Sequence, residues 1–163
     1  MIRVRFIKTI MALIIGILFT VPVFAEGFIT GKIKLPFEAT VTLKNNKVEN
    51  NSKTNLLLTF KIDEGSYLYK DSLSLKIKPI SGVKIGKPVF PKSETKMDKF
   101  TKLNKQIYHK SFTVSVPVEV TPQAKSGKMQ LASTVNFQGC SKTICYIPQE
   151  KNVSIPFEVV KKK

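Results

Sequence analysis

The sequence predicts an all-β fold, an antiparallel β-sandwich of immunoglobulin-like type. Apolar and polar side chains alternate in one segment after another, the period-two pattern of strands that bury one face and expose the other. Turn residues separate these segments, for example at Asn45 and Asn46, at Glu64 to Ser66, and at Ser126 and Gly127. No stretch shows helical periodicity and no segment is repeated. Short strands at this spacing are typical of a two-sheet sandwich.

Five segments carry the strand pattern. Residues 55–62 are apolar enough for a well-buried strand. The other four alternate, with these inward residues: Leu73, Leu75 and Ile77; Phe112, Val114, Val116, Val118 and Val120; Met129, Leu131, Val135 and Phe137; Val153, Ile155, Phe157 and Val159. Pro117 and Pro156 fall on the outward phase. They predict sheet edges or bulges, because proline cannot donate a hydrogen bond to a ladder.

Residues 91–109 depart from the alternation. The segment is polar and basic, with isolated Phe100, Leu103, Ile107 and Tyr108. We predict a long loop at one end of the sandwich. Loops of that length are uncommon unless they are functional or disordered.

The first 25 residues have the order of a secretory signal peptide. Arg3, Arg5 and Lys8 precede a short apolar run, and small residues stand at Val23 and Ala25. We predict cleavage after Ala25, which leaves residues 26–163 as one exported domain. The alternative, a retained membrane anchor, is disfavoured because the uninterrupted apolar run is short for a spanning helix. No stable membrane span is then expected after cleavage.

Lysine dominates the charge of the chain, whose formal net charge is +16. Nucleic-acid binding is the obvious interpretation of such a charge. However, no arginine follows Arg5, and the lysines are scattered rather than interleaved with aromatic residues. Because arginine is the usual residue for phosphate and base recognition, we predict a solvated lysine surface and no nucleic-acid partner. Adhesion to anionic surfaces is a weaker alternative.

Cys140 and Cys145 are the two cysteines of the chain. With His109 as the single histidine, they are too few for a zinc site, and no metal is expected. A disulfide between them closes a ring of six residues and contributes only ~2 kcal/mol by chain entropy, against ~4 to 5 kcal/mol for a long loop. Gly139 permits close backbone approach, and Lys142 inside the ring favours a thiolate. A redox-active pair is favoured, and a structural bridge stays open.

Several motifs resemble the N-terminal periplasmic domain of the thiol:disulfide interchange protein DsbD. Residues 137–140 (FQGC) and 145–150 (CYIPQE) resemble its active-site hairpin. Residues 64–71 (EGSYLYKD) resemble a Gly-Tyr-Tyr-Leu-Tyr-Arg-Asp strand of that family. Residues 97–100 (MDKF), followed by Ile107 and Tyr108, resemble its cap loop. Three motifs in the family's order cover nearly the whole exported domain.

The resemblance implies a cysteine pair at one end of an immunoglobulin-like sandwich, covered by a cap loop. In that family a phenylalanine shields the thiols until a partner docks. At the matching positions the shield is Phe100, Asp98 lies beside the site, and Tyr67 and Tyr69 line it. The tyrosines, two residues apart on one strand, share a face. Ordinary core or cross-strand packing is the alternative for them.

The resemblance also implies a mechanism. In the family the second cysteine forms the mixed disulfide with partners, which assigns that bond to Cys145 and the resolving thiol to Cys140. The implied activity is that of a protein-disulfide reductase component, a thiol-disulfide exchange relay that passes reducing equivalents to oxidised thioredoxin-like proteins without a cofactor. The alternative is a non-catalytic immunoglobulin-like binding or structural module.

Four features depart from the family. Four residues separate the cysteines where the best-known members have five, Ile147 stands where the family often has the first of two prolines, and Lys99 replaces an acid in the cap segment. The full-length family protein continues into a multispan membrane domain and a thioredoxin-like domain, whereas this chain ends at Lys163. A relay built on this chain is therefore expected to take electrons from a separate membrane electron carrier. The sequence does not identify the clients; disulfide isomerases and cytochrome c maturation proteins are two candidate classes.

Overall fold

The computed structural model describes residues 34–162, in which twelve β-strands account for the regular structure apart from a 3-10 turn at Lys70–Ser72. The strands are β1 Phe37–Leu43, β2 Lys47–Glu49, β3 Ser52–Ile62, β4 Tyr67–Tyr69, β5 Ser74–Ile77, β6 Val83–Ile85, β7 Glu94–Met97, β8 Asn104–Tyr108, β9 Phe112–Val120, β10 Gly127–Phe137, β11 Gly139–Cys140 and β12 Gln149–Val160. The predicted all-β fold is confirmed.

Two four-stranded sheets form the immunoglobulin-like sandwich. One has the order β1-β3-β9-β6 and the other the order β2-β12-β10-β5. Their pairings are antiparallel, and the longest joins β10 to β12 from Gly127↔Val159 to Phe137↔Gln149. One short pairing, β2 with β12, is parallel. The predicted antiparallel sandwich is thus confirmed, with this one local exception.

The core lies between the inward faces of the two sheets, and the sequence alternation selects its members. The ring of Phe60 stacks on Phe112 at 5.1 Å and meets the edge of Phe137 at 5.6 Å. Side chains with less than 2 % exposure include Phe60, Leu56, Val114, Val116, Val118, Val120, Leu131, Val135 and Val159. Since burying such a side chain contributes roughly 1.5 to 3 kcal/mol, this apolar layer is the main source of stability.

The two prolines lie in strands inside their sheets, β9 and β12, so a position on an edge strand is wrong for both. Pro156 pairs with Gln130 on one side, and on the other side β2 reaches only residues 158–160 of β12, so its missing N–H faces no ladder. Pro117 pairs with Asn55 on one side, and on the other side β6 reaches only residues 118–120 of β9. The Gly86 N–H donates to the Pro117 carbonyl at 2.8 Å, just after β6 has ended at Ile85. The interruption of β6 therefore accommodates this proline.

A third, small sheet has the order β11-β4-β8-β7 and corrects the predicted long loop. Residues 91–109 contain a β-hairpin, in which β7 and β8 pair from Glu94↔Ile107 to Met97↔Asn104. All four side chains of β7 are exposed. The strand therefore lacks the alternation by which the others were recognised, because backbone pairing rather than burial holds it in place. We call residues 94–108 the cap hairpin.

Residues 1–33 and Lys163 lie outside the described part of the chain. The signal peptide over residues 1–25, its cleavage after Ala25 and the exported domain 26–163 therefore stay predictions. Within residues 34–162, no helix has the length and apolar character needed to cross a membrane.

Candidate functional site

The first cysteine is placed by a close approach of two backbones. Strand β11 pairs Gly139 with Leu68 and Cys140 with Tyr67. A Cβ at Gly139 would collide with the Tyr67 carbonyl oxygen and stand 2.6 Å from the ring of Phe37. A side chain at position 139 would therefore push the cysteine away from β4.

A tight turn returns the chain to the second cysteine. The Ser141 N–H donates to the Ile144 carbonyl at 2.8 Å, and the Tyr146 N–H donates to the Gly139 carbonyl at 3.0 Å. Cys140 and Cys145 are joined by a disulfide. Their environments differ: Cys140 is completely buried, whereas Cys145 is exposed. A molecule approaching from solvent therefore reaches Cys145 before Cys140.

A buried carboxylate lies next to the disulfide. Asp98 is 3 % exposed, and its Oδ2 accepts hydrogen bonds from the hydroxyls of Tyr69 and, at 3.1 Å, Tyr67. The Tyr69 oxygen lies 3.1 Å from Cys140 Sγ and 3.7 Å from Cys145 Sγ. The two tyrosine rings meet edge to face at 5.5 Å. A single hydroxyl thus links the carboxylate to both sulfurs.

The network fixes the protonation state of its members. Burial by itself would raise the pKa of Asp98, but hydrogen bonds from Tyr69, from the Thr101 and Phe100 backbone and from Tyr67 outweigh it and lower that pKa to about 2. Burial, reinforced by the Asp98 carboxylate, raises the pKa of Tyr69 well above its usual range. At neutral pH the site therefore holds a carboxylate and a neutral phenol.

Asp98 also shapes the turn of the cap hairpin. Its Oδ1 accepts hydrogen bonds from the backbone N–H groups of Phe100 at 2.8 Å and Thr101 at 2.7 Å. Lys102 closes the turn with a φ of 59°, and its N–H donates to the Asp98 carbonyl. One side chain therefore binds the two tyrosines through one oxygen and orients the cap through the other.

Phe100 projects from this turn and is 44 % exposed. Together with Tyr69, Gln138 and Cys145 it lines a groove of about 500 Å³. Ile144 and Ile147, on either side of Cys145, are also exposed, at 51 % and 77 %. Exposed apolar side chains of the kind that contact a protein partner thus share the groove with Cys145 or flank it in sequence, beside the polar side chains of Asp71, Ser72, Thr101 and Lys105.

The structure brings all six residues singled out from the sequence to one end of the sandwich. Tyr67, Tyr69, Asp98 and Cys140 form one hydrogen-bonded cluster, and Phe100 and Cys145 line the adjoining groove. Their functional roles stay predictions. In the described part of the chain, no three His, Cys, Asp or Glu side chains cluster as metal ligands would.

Ser72, which was not predicted from the sequence, holds Gln138 at the start of the segment that carries the two cysteines. Its hydroxyl donates to the Tyr69 carbonyl at 2.9 Å and accepts from the Gln138 N–H at 3.1 Å. The Gln138 side chain in turn donates to the Tyr146 carbonyl. The only signal in the sequence is that Ser72 closely follows the tyrosine strand, which does not reveal a contact 66 residues away.

Fold and site together define a class of protein: immunoglobulin-like sandwich domains that carry a half-exposed cysteine pair at one end. Within that class the chain belongs to the family described as the N-terminal domain of the thiol:disulfide interchange protein DsbD, whose sequence model matches residues 34–156. The predicted family membership is confirmed, and thiol-disulfide exchange is the chemistry of this family.

Two solved structures with similar folds come from Neisseria meningitidis. The reduced DsbD N-terminal domain is 23 % identical, with a TM-score of 0.56 over 76 % of this chain and 86 % of that one. A complex between the DsbD and PilB N-terminal domains contains a chain that is 20 % identical, with a TM-score of 0.54 over 76 % of this chain and 87 % of that one. No curated protein matches the chain in sequence.

Proposed function

We propose that this chain is a periplasmic thiol-disulfide exchange relay, which passes reducing equivalents through Cys140 and Cys145 to oxidised thioredoxin-fold proteins. The observation that carries the proposal is the unequal burial of the pair, with Cys140 fully enclosed and Cys145 exposed at a groove. A disulfide that served only to staple two strands would not need one sulfur open to solvent beside exposed apolar side chains. The accessible sulfur meets the partner, and the enclosed one completes the exchange.

The exchange takes place in two steps from the reduced pair. The Cys145 thiol loses its proton and attacks one sulfur of the partner's disulfide, and the partner's other sulfur leaves and takes up a proton. Cys140 then loses its proton and attacks Cys145 Sγ, which releases the partner's second sulfur as a thiol. Two electrons have moved to the partner, and the chain is left with the Cys140–Cys145 disulfide.

Asp98 and Tyr69 control the timing of the second step. Because Tyr69 gives its hydroxyl hydrogen to Asp98, its oxygen faces Cys140 Sγ with lone pairs. After reduction the Cys140 thiol donates to that oxygen, and the nearby carboxylate opposes a negative charge on the sulfur. Cys140 is therefore kept as a neutral thiol until a mixed disulfide at Cys145 provides its target.

The partners follow from this chemistry. The oxidised acceptors are thioredoxin-like proteins, and a separate membrane electron carrier with a dithiol returns the electrons to the pair. The complex solved for the Neisseria DsbD N-terminal domain supports a protein partner. The reaction needs no cofactor, because sulfur atoms carry both electrons. An exported domain meets such partners in the periplasm, where disulfides persist.

Trapping the mixed disulfide tests the proposal. A Cys140→Ser variant lacks the resolving thiol, so Cys145 should accumulate in a covalent adduct with an oxidised thioredoxin-fold protein, visible on a non-reducing gel. The matched control, Cys145→Ser, keeps one cysteine but places it in the enclosed position and should form no adduct. Adducts in both variants, or in neither, would contradict the assigned roles.

The competing function is an immunoglobulin-like binding or structural module whose small ring only stiffens a hairpin. Redox titration of the folded chain separates the two functions. A reduction potential in the range of exchange proteins, roughly −180 to −270 mV, supports the relay, whereas a value below about −300 mV identifies a structural bridge.

A further inference from the structure

A second cavity, distinct from the disulfide groove, is lined by the Asp98 and Tyr67 side chains, which are absent from the groove wall. Its volume is about 460 Å³, and its walls are the cap hairpin, the turn at Glu64–Ser66 and the loop between the two cysteines. The sulfur atoms do not line it. We call it the lysine cleft, because Lys96, Lys99, Lys110 and Lys142 all line it.

The positive charge of the lysine cleft is not neutralised from within. Among residues 34–162, no carboxylate lies within 4.0 Å of the ammonium group of any of the four lysines, whereas Lys47, Lys53, Lys61, Lys84 and Lys105 each have such a partner. Of the two acids in the cleft wall, Asp98 is buried and bonded to tyrosine hydroxyls and backbone N–H groups. Glu64 alone does not balance four cations.

Lys142 belongs both to the cleft wall and to the loop between the two cysteines. This lysine lies between the two cysteines in sequence, and its aliphatic chain packs over Gly65, where a Cβ would stand 2.8 Å from Lys142 Cε. Gly65 has a φ of +78°, a conformation that also favours glycine. A protein bonded to Cys145 must lie against the loop 141–144, and Ser141 and Lys142 of that loop form the cleft wall.

We propose that the lysine cleft binds an acidic segment, one bearing Asp or Glu side chains, of the protein that exchanges disulfides with Cys145. The inference rests on the proposed exchange function and adds a preference for partner proteins with an acidic segment. Four ammonium groups without a carboxylate partner, on lysines that line one cavity, attract carboxylates, raise the rate of encounter and fix the orientation of the docked chain. An acidic segment brings several carboxylates to these lysines, more than one acidic side chain can supply.

Peptide disulfides provide the test. The reduced protein is mixed with two synthetic peptides, each with one cysteine activated as a thiopyridyl disulfide and flanked either by glutamates or by serines. Release of thiopyridone reports the rate of attack by the protein thiolate. At low salt we expect the acidic peptide to react about tenfold faster than the neutral one, and the preference to shrink as salt screens the charges.

A pair of matched variants locates the effect. The combined change Lys96→Gln, Lys99→Gln and Lys110→Gln removes three exposed cleft charges and should bring the ratio of acidic to neutral rates to within about twofold of unity. The control Lys44→Gln, Lys76→Gln and Lys125→Gln removes three exposed lysines elsewhere and should keep most of the preference. Lys142 is left intact because it lies in the loop between the two cysteines and packs over Gly65.

The outcomes separate the cleft from the exchange function. An equal loss of preference in the two variants would show that only net charge matters and would overturn the cleft. Wild-type protein that reacts equally with both peptides would overturn it as well. A reduced protein that releases thiopyridone from neither peptide would overturn the exchange function itself, and the cleft proposal with it.

Discussion

The sandwich and the sheet that carries the cysteines are built on different principles. The sandwich is held by an apolar core whose central side chains, such as Phe60 and Leu131, are completely buried. The third sheet has a small cluster of its own, consisting of Tyr69, Ile107 and Cys140 with Tyr67 packed against it. Its centre is the Asp98 carboxylate, and it leaves Met97 and Phe100 exposed. The buried side chains of the sandwich are mostly apolar, whereas the third sheet is organised around a buried carboxylate.

The difference separates stability from reactivity. The burial of apolar area in the sandwich does not depend on the redox state of the cysteines. At the site, a small ring can open and close while Tyr108 keeps the base of the cap hairpin in place, by stacking on Phe112 at 4.0 Å and donating to the Pro91 carbonyl at 2.9 Å. The disulfide at the site can therefore form and break while the packing of the sandwich stays the same.

The largest effect on stability is expected from Phe60→Ala in the sandwich. Removing this completely buried ring should lower the free energy of unfolding by about 3 to 5 kcal/mol. Phe100→Ala is the matched control, because it makes the same chemical change at a half-exposed ring and should cost less than about 1 kcal/mol. Denaturant unfolding of the two oxidised variants measures both values, and similar losses would abolish the distinction between the regions.

Reduction of the disulfide should have the next largest effect. The six-residue ring restricts the unfolded chain little, so the reduced protein should be only about 2 kcal/mol less stable than the oxidised one. Unfolding curves with and without dithiothreitol give this difference. A chain that unfolds on reduction would show that the site end, rather than the sandwich, holds the fold together.

The buried carboxylate of Asp98 should make the free energy of unfolding depend on pH in the acidic range. The pKa of Asp98 is about 2 in the folded protein against 3.8 for a free side chain. The associated stability is therefore complete above about pH 4 and is lost as the pH falls towards 2, a change of about 1 to 2 kcal/mol. Asp98→Asn should lack this component when its unfolding free energy is measured from pH 6 down to pH 2.

The same variant tests the electrostatic role at the sulfurs. Asn retains the oxygen that accepts from the Phe100 and Thr101 N–H groups, but it has no negative charge. Without the charge a thiolate forms more readily, so the reduced pair should react with iodoacetamide roughly three- to tenfold faster at pH 7. Tyr69→Phe, which removes the connecting hydroxyl and keeps the ring, should act in the same direction. An unchanged rate in both variants would exclude electrical coupling between Asp98 and the cysteines.

The smallest effect concerns the cap. Phe100 and Cys145 line the same groove, but Cys145 is already exposed in the oxidised protein. Phe100→Ala should therefore speed alkylation of the reduced thiols only about two- to fivefold, since a partial screen is removed. Leu103→Ala, a change at another exposed apolar residue of the cap hairpin, is the control and should have no effect. Equal rates in wild type and Phe100→Ala would remove the shielding role.

The alternation of side chains determined the sandwich without any knowledge of tertiary contacts. Val114, Val116 and Val118 face one side of β9, because successive residues of a strand point to opposite faces of the sheet. Only the face that packs in the core needs apolar side chains, so the strand shows a period of two. The same reasoning failed for β7, whose side chains are all exposed. A strand held only by backbone pairing does not need alternating apolar and polar residues, so its sequence lacks the pattern that predicts a strand.

For the site, the sequence by itself singled out residues that the fold brings together: the two cysteines, Gly139 before them and the cap motif with Asp98 and Phe100. Only the tertiary structure decided which cysteine is exposed, because Cys140 is buried against Tyr69 of β4, which lies 71 residues earlier in the chain. It also gave Asp98 its two tyrosine donors and gathered four lysines around one cavity. Charges distant in sequence become neighbours only when the chain folds, so the acidity of the bound segment could not be inferred from the sequence.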